Sequence, residues 1–155
     1  MSIAISVAAL VFSLAAFQYG RWRDRRDLLL KIHEHLVSAD QHRGRRLLFT
    51  MKETQIRVED ISEEDYLLIN NALAALNVLG IYYRRRYIRR KDVLELWAVP
   101  VLRAVLAGQA IMARRDTENG MPIWPHLRSL ADDARAYTEQ AGIAVQAPGV
   151  PPSEL

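Results

Sequence analysis

The order of apolar and polar positions divides the chain into five helical segments separated by short polar breaks. Within the segments, apolar residues recur three and four positions apart, which is the spacing of a helix that buries one face. No stretch alternates between apolar and polar residues for the length of a strand. The pattern therefore predicts an all-α fold, a bundle of four to five helices. The predicted helices cover 2–39, 41–56, 63–83, 91–115 and the residues from Pro125 to near Gly142.

The first segment differs from the others because its N-terminal half is apolar on every side. Residues 2–19 contain no charge, no proline and no glycine. At about 1.5 Å per residue a helix of this length spans roughly 27 Å, close to the hydrocarbon thickness of a bilayer. A buried core helix and a cleaved signal peptide are the alternatives. We favour an uncleaved membrane anchor that covers residues 1–20. A core helix that is apolar on every side is uncommon in a small domain, and a signal peptide would have basic residues before the apolar run, where this chain has none.

Arginines follow the apolar run directly. Basic residues beside a membrane span stay on the cytoplasmic side and attract anionic headgroups, and aromatic residues are enriched at the interface. We therefore expect a single-pass protein of the cytoplasmic membrane, with its N-terminus outside and its helical domain, 21–142, in the cytoplasm. The predicted membrane-interface residues are Tyr19, Arg21, Trp22, Arg23, Arg25 and Arg26.

Composition narrows the kinds of site that the chain can carry. It has no cysteine, which excludes disulfides, iron–sulfur clusters and a cysteine nucleophile. The net charge of +3 argues against a strong polyanion binder. His33 and His35 lie two positions apart and so on different helix faces, and we predict no metal and no cofactor.

The end of the chain, 143–155, is rich in proline and glycine and is predicted to be disordered.

The segment between the third and fourth helices carries the densest charge of the chain. Its cations are interleaved with tyrosines and could bind phosphate groups or an acidic protein partner. The alternative is neutralisation within the molecule by the acidic residues of 59–65. If the cluster has an external partner, lipid or protein is favoured over nucleic acid, since the predicted anchor already holds it near a membrane. The candidate docking residues are Arg84, Arg85, Arg86, Arg89, Arg90 and Lys91.

One residue pair suggests an enzymatic alternative. Arg26 and His33 lie seven positions apart, with Asp27 after the arginine. This spacing resembles the active-site motif of HEPN ribonucleases. The resemblance implies that the histidine acts as a base and that the arginine stabilises phosphate charge in a dimer cleft. The other interpretation is a surface histidine beside an arginine that contacts headgroups.

A wider resemblance covers about residues 5–140. The order of features is an apolar anchor with a basic exit, Asp40 followed by Arg43 and Arg46, the stretch "ALNVLGIYYRRRYI", Asp92-Val93, Trp97, Arg103, and a final tryptophan before the last helix. This order resembles the bacterial family catalogued as domain of unknown function 4760. The resemblance implies a short membrane-anchored helical protein, and it carries over no catalytic residue.

These observations lead to one principal expectation and two alternatives. We expect an interaction or accessory subunit held at the membrane, with another membrane protein or further copies of itself as partner. The first alternative is a membrane-tethered ribonuclease or toxin of HEPN type. The second is a soluble regulatory protein whose apolar N-terminus is buried in an oligomer.

Overall fold

The computed structural model describes residues 2–145, together with their side chains except those of 2–6, 8 and 11. This part of the chain is all-α and contains no strand. A single turn of 3₁₀ helix, Val58–Asp60, lies between the second and third helices. The helices are α1 (Ser2–Leu36), α2 (Ala39–Glu53), α3 (Glu63–Arg84), α4 (Arg90–Asn119) and α5 (Pro125–Gln140).

Local signals in the sequence mark the beginning of α3 and the end of α4. Ser62 caps α3, because its hydroxyl accepts a hydrogen bond from the Asp65 backbone N–H at 3.1 Å. α4 ends at Asn119, and the next residue, Gly120, adopts a left-handed conformation with φ of 65°. This end lies four residues beyond the predicted end of the helix. The polar last turn is helical because Arg114 and Glu118 form an ion pair at 2.7 Å on one helix face.

The core lies between α2, α3, α4 and α5. α3 contacts the other three, as expected for the helix with apolar residues on most of its sides. The side chains with no solvent exposure that fill the centre include Leu48, Leu73, Leu76, Val93, Val101 and Leu127. α3 approaches its neighbours closely at two glycines. A Cβ at Gly44 would collide with the Leu68 carbonyl, and one at Gly80 with the His126 carbonyl.

The two halves of α1 have different surroundings. The C-terminal half packs on the bundle through Leu28, Leu29, Ile32 and Leu36. The described apolar side chains of the N-terminal half are exposed, and Phe12 exposes 76% of its surface. At 35 residues the helix is about 52 Å long, so its N-terminal half extends beyond the bundle.

By length and composition alone, α3 and α4 are apolar enough to cross a membrane. Their apolar side chains form the centre of the core, and a core helix meets the same criterion. We therefore describe both as helices of the bundle. The segment predicted to be disordered, 143–155, is described only as far as 145, and Val145 packs on the core. The rest of that segment lies outside the described residues.

Candidate membrane-interface site

Residues 17–26 of α1, at the end of its exposed half, carry aromatic rings and arginines around the helix. We call these residues the arginine belt. The Tyr19 and Trp22 rings are 6.2 Å apart. The Arg21 guanidinium lies 5.8 Å from the Phe17 ring, and that of Arg26 lies 5.8 Å from the Trp22 ring. Stacking on aromatic faces leaves the edges of a guanidinium free to donate hydrogen bonds to an anion.

The loop between α3 and α4 is held firmly to the bundle. Ile88 is buried in the core, and the Tyr87 backbone N–H donates to the Tyr82 carbonyl at 3.0 Å. Arg86 adopts a left-handed conformation with φ of 58°, which is uncommon for a residue with a side chain. The loop therefore presents its exposed arginines from a fixed backbone.

The structure brings the belt and this loop together. A cleft of about 540 Å³, here called cleft I, separates α1 from the loop. Its volume is within the usual range of small-molecule sites, roughly 300–1,000 Å³. α1 provides one wall and residues 85–87 provide the other, so the two basic clusters predicted separately from the sequence face each other. Its charged and aromatic lining residues are Arg21, Asp24, Arg25, Arg85, Arg86 and Tyr87.

A smaller cleft of about 180 Å³, here called cleft II, adjoins the first because Arg25 lines both. It lies between α1 and the first turn of α4. Its lining residues are Trp22, Arg25, Arg26, Leu29, Arg89 and Asp92. Sequence analysis singled out the arginines and Trp22. It did not identify Asp24 and Asp92 as site residues. Their only signal in the sequence was a position within an arginine-rich stretch.

Arginines outnumber the single aspartate in the lining of each cleft. In the part of the chain that the structure describes, none of them forms an ion pair within 4.0 Å. Two of the five acidic residues of 59–65 pair elsewhere, with Arg57 to Asp60 at 3.0 Å and Arg43 to Glu64 at 3.6 Å. These contacts give no support to the alternative in which the 59–65 acids neutralise the loop.

The other candidate docking residues lie outside the clefts. Arg84 is exposed at the end of α3. The Arg90 guanidinium lies 5.0 Å from the Tyr83 ring, and Lys91 forms an exposed ion pair with Glu95 at 3.6 Å. Only Arg85, Arg86 and Arg89 therefore share a site with the α1 arginines.

Arg26 and His33 have different surroundings. Arg26 lines cleft II, whereas His33 packs its ring edge-on against Trp97 at 5.7 Å. No cleft described here is lined by both residues. Their spacing on one helix therefore does not lead to a shared site within this chain.

The Trp97 ring that half-buried His33 contacts also lies beside a buried arginine that sequence analysis missed. Arg45 is only 8% exposed, and its guanidinium lies 5.8 Å from the Trp97 ring. Burial lowers the pKa of Arg45, because the charged form loses hydration. Gln41 is buried one turn earlier on the same face. The signal in the sequence was the position of Arg45 three residues before the core residue Leu48.

Within the described residues, no three His, Asp or Glu side chains are grouped in a way that could hold a metal ion. Comparisons with family models, with curated proteins and with solved structures found no match to this chain. The resemblance to domain of unknown function 4760 therefore stays a prediction from the sequence.

Proposed function

We propose that this protein is a single-pass membrane protein in which the N-terminal half of α1 spans the bilayer. In this proposal the helical bundle is a docking module held against the cytoplasmic face. It serves as an interaction or accessory subunit of a membrane assembly.

The observation that carries the proposal is the exposure of the apolar half of α1. Leu10, Phe12 and Phe17 expose 62%, 76% and 63% of their surfaces. Exposing these side chains to water forfeits roughly 1.5–3 kcal/mol for each, a cost that a bilayer removes. The change from apolar to aromatic and basic residues at positions 17–26 has the order expected across a membrane–water interface.

The docking role is supported by an exposed face of the bundle. Leu67 and Val78 are exposed on α3 and lie eleven residues apart, which is about three helical turns and so the same face. Ala74 lies between them on this face. Together with the exposed Asn71 they form a mixed apolar and polar face, which is the usual composition of a contact between proteins that also exist apart.

The proposal predicts that charges in the exposed half of α1 release the protein from membranes. An arginine at the centre of a membrane span costs about 2.5–3.5 kcal/mol on insertion scales. The double variant Leu10→Arg, Leu14→Arg should therefore move from the membrane pellet to the supernatant when membranes are washed with carbonate. The wild-type protein should stay in the pellet.

Leu30→Arg is the matched control, because Leu30 is an exposed apolar residue of the same helix beyond the arginine belt. This variant should stay in the pellet. Recovery of the wild-type protein in the supernatant as an oligomer, and of the double variant as a monomer, would contradict the membrane anchor. It would support a soluble protein whose apolar N-terminus is buried in an oligomer.

A further inference from the structure

We infer that clefts I and II together form a binding site for the headgroup of an anionic phospholipid that carries two phosphate diesters. This inference rests on the proposed membrane anchor. It goes beyond a general attraction of basic residues to a membrane, because it assigns a specific lipid to specific arginines.

The first argument is the concentration of uncompensated charge. Cleft I is lined by four arginines and one aspartate, and cleft II by three arginines and one aspartate, with Arg25 common to both. Among the described residues none of these arginines forms an ion pair within 4.0 Å, and the single aspartate in each cleft leaves both linings with an excess of positive charge. Like charges held this close repel one another, so an anion that enters either cleft gains the attraction of several cations at once.

The second argument is the chemistry of the side chains. A guanidinium binds phosphate oxygens through two parallel N–H groups, which makes arginine better suited than lysine to a fixed phosphate site. All six cations that line the clefts are arginines, whereas Lys91 lies outside. The loop arginines project from a backbone that Ile88 holds to the core, so less conformational entropy is lost on binding than for a mobile loop.

The third argument is position along α1. If the hydrocarbon region ends near Gly20, Arg21 and Arg25 lie one and five residues beyond it, or about 2 and 8 Å along the helix axis. This depth is that of the headgroups, which occupy roughly 5–8 Å on each side of the hydrocarbon. A lipid with its phosphates in the clefts can place its acyl chains along the exposed apolar half of α1.

The presence of two adjoining clefts favours a lipid with two phosphates. Because Arg25 lines both clefts, two phosphates joined by a short glycerol bridge can occupy one cleft each and share that arginine. A lipid with one phosphate can fill only one cleft at a time. Cardiolipin is the diphosphate lipid with which the inference can be tested.

The test uses the full chain in detergent and native mass spectrometry to count bound lipids. The protein is titrated with cardiolipin, with phosphatidylglycerol at the same total charge, with phosphatidylcholine and with inorganic phosphate. We expect one cardiolipin per chain, bound more tightly than phosphatidylglycerol. The double variant Arg25→Gln, Arg85→Gln should weaken cardiolipin binding by at least about tenfold, since several charge-assisted hydrogen bonds are lost.

The matched control is Arg84→Gln, Lys91→Gln, which removes the same number of positive charges from residues that flank the loop and lie outside the clefts. It should bind cardiolipin within about twofold of wild type, because surface charges beyond the site are screened by salt. Equal losses in the two double variants would show diffuse attraction and overturn the assignment.

Other outcomes would also overturn it. Displacement of lipid by an equal concentration of inorganic phosphate would indicate a site for soluble phosphate. If neither anionic lipid binds better than phosphatidylcholine, the clefts fit an acidic protein segment instead. The carbonate wash distinguishes failure of the proposed lipid site from failure of the proposed membrane anchor. A protein that stays in the membrane without preferring cardiolipin disproves the lipid site alone, whereas a soluble full-length protein disproves the anchor.

Discussion

At the scale of single residues, Asn77 joins two helices with one side chain. Its Oδ1 atom accepts hydrogen bonds from the backbone N–H groups of His126 and Leu127, at 3.1 and 3.0 Å. These N–H groups belong to the first turn of α5, where no partner exists within the helix. Trp124, the residue before α5, provides no side-chain cap. Asn77 of α3 therefore caps α5 from across the bundle.

Removal of this cap should destabilise the fold. We expect Asn77→Ala to lower the free energy of unfolding by about 1–3 kcal/mol, because two partly buried N–H groups lose their acceptor. Asn77→Asp keeps an acceptor and places a negative charge at a helix N-terminus, so it should lose less. Urea unfolding of the purified variants in detergent measures both values. Equal losses would argue against the capping role.

Tyr83 gives a pH dependence that can be tested. Its ring is buried, and its hydroxyl donates a hydrogen bond to Asp133 Oδ2 at 2.9 Å. Burial is the larger cause and the contact with Asp133 the smaller cause that raise the pKa of Tyr83 from 10.0 to about 12. Between these values the folded protein keeps a proton that the unfolded chain releases. The contribution of protonated Tyr83 to the stability of the fold is therefore fully present below pH 10 and is lost as the pH rises toward 12.

Tyr83→Phe removes this titration. Stability measured by urea unfolding should fall more steeply from pH 9 to pH 11 in the wild type than in the variant. At pH 8 the variant should be less stable by about 0.5–1.5 kcal/mol, the usual value of one hydrogen bond. Parallel pH profiles for the two proteins would contradict the assignment of this titration to Tyr83.

At the scale of helices, glycines set how closely α2 and α3 pack. A Cβ on Gly44 would meet the backbone of Leu68, which cannot rotate away. A Cβ on Gly108 of α4 would meet the Leu73 methyl groups at 3.4 Å and a Leu48 methyl group at 3.7 Å, which are ordinary contacts. Gly44→Ala should therefore lower the free energy of unfolding by about 1–3 kcal/mol. Gly108→Ala should be neutral or raise it by up to about 1 kcal/mol through helix propensity.

The same urea unfolding experiment compares the two alanine variants directly. Both substitutions add one methyl group to a buried helical glycine and gain the same intrinsic propensity. A similar stability for both would mean that α2 and α3 are not in close backbone contact at Gly44.

The helices could be predicted from the sequence because their signals are local. Ser62 and Pro125 mark the beginnings of α3 and α5, and apart from the end of α4 the predicted bounds lie within three residues of the observed ones. The end of α4 was misplaced, because the Arg114–Glu118 pair keeps a polar last turn helical.

The clefts could not be predicted, because they depend on how distant segments pack. Arg21 and Arg86 line the same cleft although 64 other residues separate them in the chain. Residue types identified both clusters as basic, but only the packing of α1 beside the start of α4 places them together. The inward position of Arg45 likewise follows from the packing of α2 on Trp97.

At the scale of the whole molecule, charge is distributed unevenly along the bundle. The acidic residues of 59–65 lie at the N-terminal end of α3, and the basic loop lies at its C-terminal end, about 33 Å away along the helix. The basic end is the one that adjoins the exposed half of α1. A bundle attached in this orientation presents positive charge to an anionic membrane and directs the acidic residues away from it.

α1 also fixes the distance between the bundle and the proposed membrane. It is one continuous helix from Ser2 to Leu36, and its C-terminal half packs on the core. No flexible linker separates the exposed half from the bundle. The clefts should therefore stay at headgroup depth, and the bundle should not move freely above the surface.

The topology of α1 is the central claim, and substituted-cysteine labelling tests it most directly because the chain has no cysteine of its own. Single cysteines at Ser2, Ser13 and Asp132 are treated in intact cells with a maleimide that cannot cross membranes. We predict that Ser2→Cys is labelled in intact cells, that Asp132→Cys is labelled only after the membrane is permeabilised, and that Ser13→Cys is labelled only after detergent. Labelling of Ser13→Cys without detergent, or of Asp132→Cys in intact cells, would contradict the account.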